Sequence, residues 1–508
     1  MLVLNPKDRP KIGQVTESLR KVATEADSEP IFALYQSIYS QNQSTALGIE
    51  HERFASWARV IGICPLRGAS LSTISVFHSD SVFRSTLDIL SQILLELQGI
   101  QSRPQNAGKS MWHRLRLLNN RLVSLLSAGL QDQVKRHFEV TLLQTEDISL
   151  LQETQLIYED TSRLSKVGML AALKHMSQLV DSFDPYSELH LDPEQVKYAE
   201  DLDEYTLAWV KGKEGTRYSL IEWVQYDSHW AGEVADELVS RVKARAVLLN
   251  SAKLPQSFLA LHCTGWYHAV ERGAFGLVFQ YPCLSDATKS PVRPLSLARL
   301  IRDSLEWRIR PSLGDRFRLA RDLATSVLDF HKIGWLHKTI SSFSIVFFTD
   351  YSPATISLCQ PFLIGFGHSR PDQKDVYTEG PNLPSNYLNY QEPKYINGET
   401  TYLPTCDYYS LGIVLLEIGL WKPLADITKK SLGSPEKTRQ YLLENRVPLL
   451  SHSMGNHYRD AVWACLSGEF STVSENASVG DRGREAYNTS IYLSFGELVV
   501  DRLANCMA

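Results

Sequence analysis

The chain has 508 residues, enough for two or three domains. Apolar residues make up 44% and charged residues 21%, a balance typical of folded rather than disordered chains. A formal net charge of −5 argues against a nucleic-acid binder that works by neutralising phosphates.

The start, MLVLNPKDRPKIGQ, meets proline and charge within ten residues and lacks the apolar core of a secretory signal. The longest apolar run, Tyr409–Trp421, falls short of the roughly 20 residues a spanning helix needs, so it reads as a buried core helix. The seven cysteines (Cys64, Cys263, Cys283, Cys359, Cys406, Cys465 and Cys506) are scattered and form no C-x-x-C pair. They suggest neither a zinc site nor a disulfide framework, and they fit reduced thiols in a cytoplasmic protein.

In chain order, residues 1–28 form a short proline-punctuated segment with helix-like spacing at Val15, Leu19 and Val22, closed by a polar break at Glu25–Glu29. Residues 30–181 are helical in pattern. Phe83, Leu87, Leu90, Leu94 and Leu97 recur at steps of four and three, which puts them on one helix face. Gly99 offers a stop and Pro104–Gly108 a loop. Met111, Leu115, Leu118, Leu122 and Leu125 repeat the pattern, with Arg114, Asn119, Arg121 and Ser124 on the opposite face. A further helical stretch covers Ile148–Met176. Amphipathic helices that each need a covered face imply a helical bundle. Residues 182–200, with Pro185, Pro193 and acidic residues, read as a linker.

From residue 201 onward the pattern changes. Thr206–Val210, Tyr218–Val224 and Phe275–Phe279 alternate as strands, and helices dominate after Leu295. The expected fold is therefore α+β and multidomain, a helical bundle followed by a two-lobed domain.

In this region LARDLATSVLDFHKIGWLHKTISSFSIVFF, PFLIGFGHSRP, NYQEPKY and CDYYSLGIVLLEIGLWKPL follow one another in the order of the catalytic loop, metal-binding loop, APE segment and buried helix of protein kinases. Residues 201–508 thus resemble a protein-kinase-like domain. Its fold markers are His337, Phe366, Gly367, Pro393, Asp407 and Gly412. By that resemblance Asp407 accepts hydrogen bonds from the catalytic-loop backbone, while Leu411, Val414, Leu415 and Ile418 are core.

The chemistry expected of the resemblance is missing. Thr339, after His337 and Lys338, stands where the catalytic base belongs, and a hydroxyl is no base at neutral pH. Ser344 replaces the metal-binding Asn, Gly365 the metal-binding Asp, and Val224 aligns with the phosphate-binding Lys. Residues 211–216, KGKEGT, lack a G-x-G-x-x-G and read as a hairpin turn. Lys394 follows Pro393 where the family has a glutamate that pairs with a late Arg, so the segment end is expected to be held differently. Losing a general base costs roughly 10²–10⁴ in rate, and losing the metal removes several kcal/mol of charge stabilisation. The resemblance therefore implies a pseudokinase without cofactor. Whether the chain is an enzyme stays uncertain, because an atypical ATP-dependent Ser/Thr kinase could use Mg²⁺ with relocated residues such as Lys213, Lys243, Asp350 or Glu379.

ERFASWARVIGI, with Arg53, Phe54, Trp57 and Gly62, resembles the signature of the HeLo domain of fungal prion-inhibition and incompatibility proteins. Phe54 and Trp57 are equally readable as ordinary helix-core residues. Together the two resemblances imply a fungal signalling or scaffold protein. Its pseudokinase domain is coupled to a helical effector or self-association domain, in incompatibility or regulated cell death. Expected partners are other proteins, including further copies of the chain through the bundle, and no nucleic acid; peripheral membrane contact stays open. The loop expected to switch is His368–Asn389. The beginning, NPKDRP, resembles the tail of an active kinase with Arg9 as its buried Arg, which implies a truncated or fused gene; it is also readable as a chance proline-rich cap on a helix.

Overall fold

The computed structural model describes residues 12–42, 44–63, 79–102, 109–158, 165–178, 189–202, 205–212, 215–226, 233–251, 254–282, 293–306, 310–348, 358, 360–372, 385–428, 434–470 and 481–507. Two compact units divide the chain, Met1–Gly168 and Met169–Ala508. The N-terminal region is helical, and the C-terminal region combines sheets with helices. Among the described residues no helix is long and apolar enough to cross a membrane. The described cysteines, Cys263, Cys406, Cys465 and Cys506, are free thiols.

The first unit is built from α1 (Ile12–Asn42), α2 (Thr45–Val60), α3 (Asp80–Ser102), α4 (Lys109–Ser124), α5 (Ala128–Leu143), α6 (Ile148–Ile157) and the start of α7 (Ser165–Gln178). Helix α2 packs against α1, α4, α5 and α6. On α3, Leu90 and Leu97 are buried, with Phe83, Leu87 and Leu94 packed against the same core. On α4, Leu115, Leu118 and Leu122 are buried, with Met111 and Leu125 beside them.

Three expectations fail here, each for a local reason. The polar run Glu25–Glu29 does not break the chain, because α1 continues through it and through Pro30. Its buried stripe runs Thr24, Ser28, Ile31, Tyr35 and Ile38, so two hydroxyl residues stand at core positions. They are satisfied inside the helix: Thr24 donates to the Arg20 carbonyl at 2.9 Å and Ser28 to the Thr24 carbonyl at 2.7 Å. Gly99 does not stop α3, because Ile100, one residue on, is fully buried and holds the last turn. Asn119 does not face solvent. It is buried, and its amide donates to the Glu50 carbonyl at 3.1 Å and to the Glu50 carboxylate at 3.0 Å. The stretch Ile148–Met176 is described as α6 and α7, with 159–164 outside the described residues, as are Pro104–Gly108 and the segment 1–11 with Arg9.

In the second unit, β1 (Val196–Asp201), β2 (Thr206–Gly212), β3 (Gly215–Gln225), β4 (Cys263–Ala269) and β5 (Ala274–Gln280) form one antiparallel sheet in the order β1-β2-β3-β5-β4. Helix α8 (Glu233–Asn250) connects β3 to the β4 side and packs on β4 and β5. Gly212 pairs with Gly215 across the β2–β3 hairpin, and residues 213–214 lie outside the described residues. The expected linker is partly sheet. Residues 189–191 bond to Trp266, with Leu191 N–H to the Trp266 carbonyl at 2.8 Å, and 196–201 form β1. Strand β1 escapes a hydrophobic reading because it is a charged edge strand, half-buried on one face only.

Next come β6 (Leu295–Ser296), α9 (Leu297–Glu306), α10 (Leu313–Lys332), β7 (Trp335–Leu336), β8 (Ile345–Phe347), β9 (Phe362–Leu363) and β10 (Arg370–Pro371). Then come α11 (Ser385–Leu388), α12 (Pro393–Ile396), α13 (Pro404–Leu420), α14 (Leu424–Ile427), α15 (Pro435–Asn445), α16 (Leu450–Ser453), α17 (Asn456–Ser467) and α18 (Asp481–Phe495), which runs on through a π-helical turn, Gly496–Asp501, into α19 (Arg502–Ala504). Helix α13 is mostly apolar and buried on every side, with Leu411, Val414, Leu415 and Ile418 fully enclosed and Asp407, Ser410 and Glu417 buried among them. Gly412 lets α17 approach it, since a Cβ there would lie 2.7 Å from the Cys465 Cβ.

Two glycine substitutions should therefore move stability in opposite directions. Gly99→Ala adds a helix former where nothing lies within 4 Å, and should stabilise the helical unit by about 0.5–1 kcal/mol. Gly412→Ala overpacks the α13–α17 contact and should cost about 1–3 kcal/mol. Urea denaturation of both variants checks the pair, and equal effects would contradict this account of the packing.

Candidate functional site

Short strand pairs bring two loops together. Strand β10 pairs with β7, and β9 with β8, so the loop 337–344 and the loop 364–369 run side by side. The Ile364 N–H donates to the Ser344 carbonyl at 2.8 Å.

Asp407, in the first turn of α13, is fully buried beneath the first loop. Its carboxylate accepts from the His337 N–H and the Lys338 N–H, both at 2.9 Å, and from the Tyr402 hydroxyl at 2.6 Å. The His331 Nε2 lies 3.0 Å away. Burial alone would raise the Asp407 pKa, but the bonds from His331 and Tyr402 and the nearby imidazoles win and hold it below the ordinary value. Lys338 takes a left-handed conformation at φ 77°, its ammonium lies over the Tyr402 ring at 5.4 Å, and its carbonyl accepts from the Gln391 amide at 2.9 Å. His337 is enclosed, and burial pushes its imidazole down to about 4, so it is neutral near pH 7.

A second buried carboxylate faces the second loop from the sheet. Leu220, Glu222 and Val224 alternate onto one face of β3, and Glu222 accepts from the Gly365 N–H at 3.0 Å and the Phe366 N–H at 2.7 Å. Burial pushes the Glu222 carboxyl up to about 7, against the pull of the backbone N–H groups of residues 365–367 and of Arg245 on α8. The Arg245 Nε donates to the Ser369 carbonyl at 2.7 Å, so strand and helix grip the same loop with opposite charges.

Each sequence-predicted position has a definite place. Thr339 donates its hydroxyl to the Gly365 carbonyl at 2.7 Å. Ser344 bonds its own loop, accepting from the Ser341 N–H at 2.9 Å and donating to the Ser341 carbonyl at 3.0 Å. Gly365 sits at φ 96°, and a Cβ there would fall 2.7 Å from the Thr339 Oγ1. The Phe366 ring meets His337 edge-on at 4.8 Å, and Gly367 abuts the Trp223 carbonyl. Thr339, Ser344 and Gly365 thus converge, with every hydroxyl spent on loop backbone.

Val224 lies on the same β3 face but beside Gly367 and α8, and the side chain that reaches the loop backbone is Glu222. Sequence reasoning passed over Glu222; the signal was an acid set inside the apolar strand SLIEWV. It also looked for an acid after Pro393 and found Lys394. The carboxylate is one residue before Pro393 instead: Glu392 caps α12 through the Tyr395 N–H at 3.0 Å and pairs with Arg439 at 3.5 Å. Of the candidate relocated residues, Lys243 is buried on α8, while Lys213, Asp350 and Glu379 lie outside the described residues. The loop His368–Asn389 is described only at 368–372 and 385–389. In the helical unit, Phe54 and Trp57 are core, Gly62 turns the chain at φ 73° after α2, and Arg53 is buried against Glu50 at 3.1 Å.

Residues 268–492 match a family described as "Domain of unknown function (DUF7580)", so this stretch is similar to a family whose description assigns no activity. The match spans Thr339, Ser344, Gly365 and Asp407 and leaves out β3 with Glu222. No curated protein matches the chain.

Glu222 and Gly365 make distinct predictions. Glu222 titrates near 7 when folded and near 4.5 when unfolded, so the folded chain holds the proton more tightly, and the stability it contributes is lost as pH climbs between those values. Glu222→Gln should therefore gain on the wild type by roughly 2–3 kcal/mol between pH 5 and pH 8. Parallel stability curves for the two proteins would contradict the displaced titration. Gly365→Asp should cost at least about 2 kcal/mol, from the left-handed backbone and the clash with Thr339. Thermal denaturation reads it, and a neutral outcome would mean that the loop has another conformation available.

Proposed function

We propose that the second unit is a protein-kinase-like module without phosphotransfer, acting as a binding or scaffold domain. The single observation that carries the reading is the Glu222 clasp on the loop 365–366, an acid bonded to backbone two residues before Val224, on the strand from which a kinase presents the phosphate-binding Lys to a metal-bound nucleotide. A carboxylate there repels phosphate. Support for the kinase-like part comes from the sheet order β1-β2-β3-β5-β4 with α8 following β3, and from Asp407 beneath the loop 337–338. The charges on β3 and α8 are exchanged relative to the family's Lys–Glu pair, with Glu222 on the strand and Arg245 on the helix.

On this reading the helical unit, HeLo-like in its Arg53, Phe54 and Trp57, is the effector or self-association part of a cytoplasmic signalling protein. The partners are proteins, and the setting is the incompatibility or regulated cell death of fungi. No ATP or Mg²⁺ is required.

The test is thermal denaturation of the full chain with millimolar ATP, with and without Mg²⁺, alongside radiolabel transfer from ATP to the chain and to a basic protein. A nucleotide that bound only the folded state at a hundredfold excess over Kd would add about 2.7 kcal/mol of stability. The expected result is no Mg²⁺-dependent shift and no transfer. Transfer abolished by substitution of one acidic residue would overturn the proposal and leave the atypical kinase in its place.

A further inference from the structure

The helical unit holds a cavity of about 940 Å³ between α4, α5 and the end of α6, with Arg53 of α2 at its wall. That volume suits a ligand of several tens of atoms. Its lining is two-sided. Val123, Val134, Phe138 and Ile157 supply apolar surface, and Arg53, Arg116, Arg121 and Lys135 supply positive charge against the single acid Asp132.

The positive charge is balanced only in part from behind. Glu50, fully buried, accepts from the Arg53 Nη1 at 3.1 Å and from the Arg116 Nε at 3.0 Å, and also from the Asn119 amide. One carboxylate thus serves two guanidiniums, and among the described residues neither Arg has a second carboxylate within ion-pair distance. Arg53 also donates to Asn120, and Arg116 lies over the Tyr158 ring at 5.8 Å. The four cations Arg53, Arg116, Arg121 and Lys135 thus outnumber the two acids beside them, Glu50 and Asp132, and an incoming anion offsets that excess.

We propose that this cavity binds an anionic amphiphile, a single alkyl chain ending in a carboxylate or a phosphate. The chain lies against Val123, Val134, Phe138 and Ile157, and the head group meets the guanidiniums of Arg53 and Arg116, with Arg121 and Lys135 at the rim. The inference concerns the helical unit alone and does not rest on the phosphotransfer reading.

Calorimetric titration of the full chain with oleate and with dodecyl phosphate, each below its micelle concentration, tests it and tells the two head groups apart. Dodecyltrimethylammonium and inorganic phosphate are the controls. Saturable one-site binding of either anionic amphiphile, at least tenfold tighter than both controls, is expected. Arg121→Glu with Lys135→Glu should weaken that binding at least tenfold and leave the ligand-free melting temperature in place, because neither residue belongs to the Glu50 cluster. Equal binding of the cationic amphiphile, equal binding of inorganic phosphate, or unchanged affinity in the double variant would each overturn the proposal. So would adsorption to phosphatidylserine vesicles with no saturable uptake of monomers, which would assign the charge to a membrane surface instead.

Discussion

The second unit hangs on one buried carboxylate. Asp407 sits in the first turn of a helix with no solvent-facing side, where an unpaired charge would be prohibitive, and it is stable there because donors surround it. Two of those donors are consecutive backbone N–H groups of the loop that follows β7, so the loop's path is set by the helix beneath it. Lys338 keeps a left-handed conformation under that constraint, and its carbonyl is then free to receive Gln391. The second loop follows in turn, tied to the first through Thr339 and through the β8–β9 pairing.

Glu222 shows how differently a second carboxylate behaves when its donors are weaker. Both acids are enclosed and both accept successive backbone N–H groups. Asp407 adds a phenol and an imidazole at close range, and its charged form wins. Glu222 has amides and a guanidinium that is engaged with Ser369, and desolvation wins. The same residue chemistry therefore gives a permanently charged anchor in one place and a carboxyl that titrates near neutrality in the other.

Much of this was legible in the sequence where one periodicity ruled. The α3 and α4 stripes, the long apolar run of α13 and the strands β2, β3 and β5 follow from spacing alone. Several failures share a cause: polar residues took core positions because partners, near or far in the chain, satisfied them. Thr24 and Ser28 bond their own helix, so α1 looked broken where it is continuous. Asn119 is buried because Glu50 needs donors, a fact that lives on another helix. Glu222 escaped because its partners are backbone groups more than a hundred residues away, which no side-chain pattern announces. Of the candidate site, the convergence of Thr339, Ser344 and Gly365 was readable from motif order, and the acid that closes on them was not.

The close fit around Gly365 also bears on how this chain can change over generations. An acid at that position would meet a left-handed backbone, the Thr339 hydroxyl and the Glu222 carboxylate at once. Changing Thr339 first strips the Gly365 carbonyl of its donor, and changing Glu222 first leaves two enclosed N–H groups without an acceptor. Each of these single changes thus gives up a contact that the loop 364–369 uses. The three positions constrain one another, and a carboxylate fits at 365 only where Thr339 and Glu222 change with it.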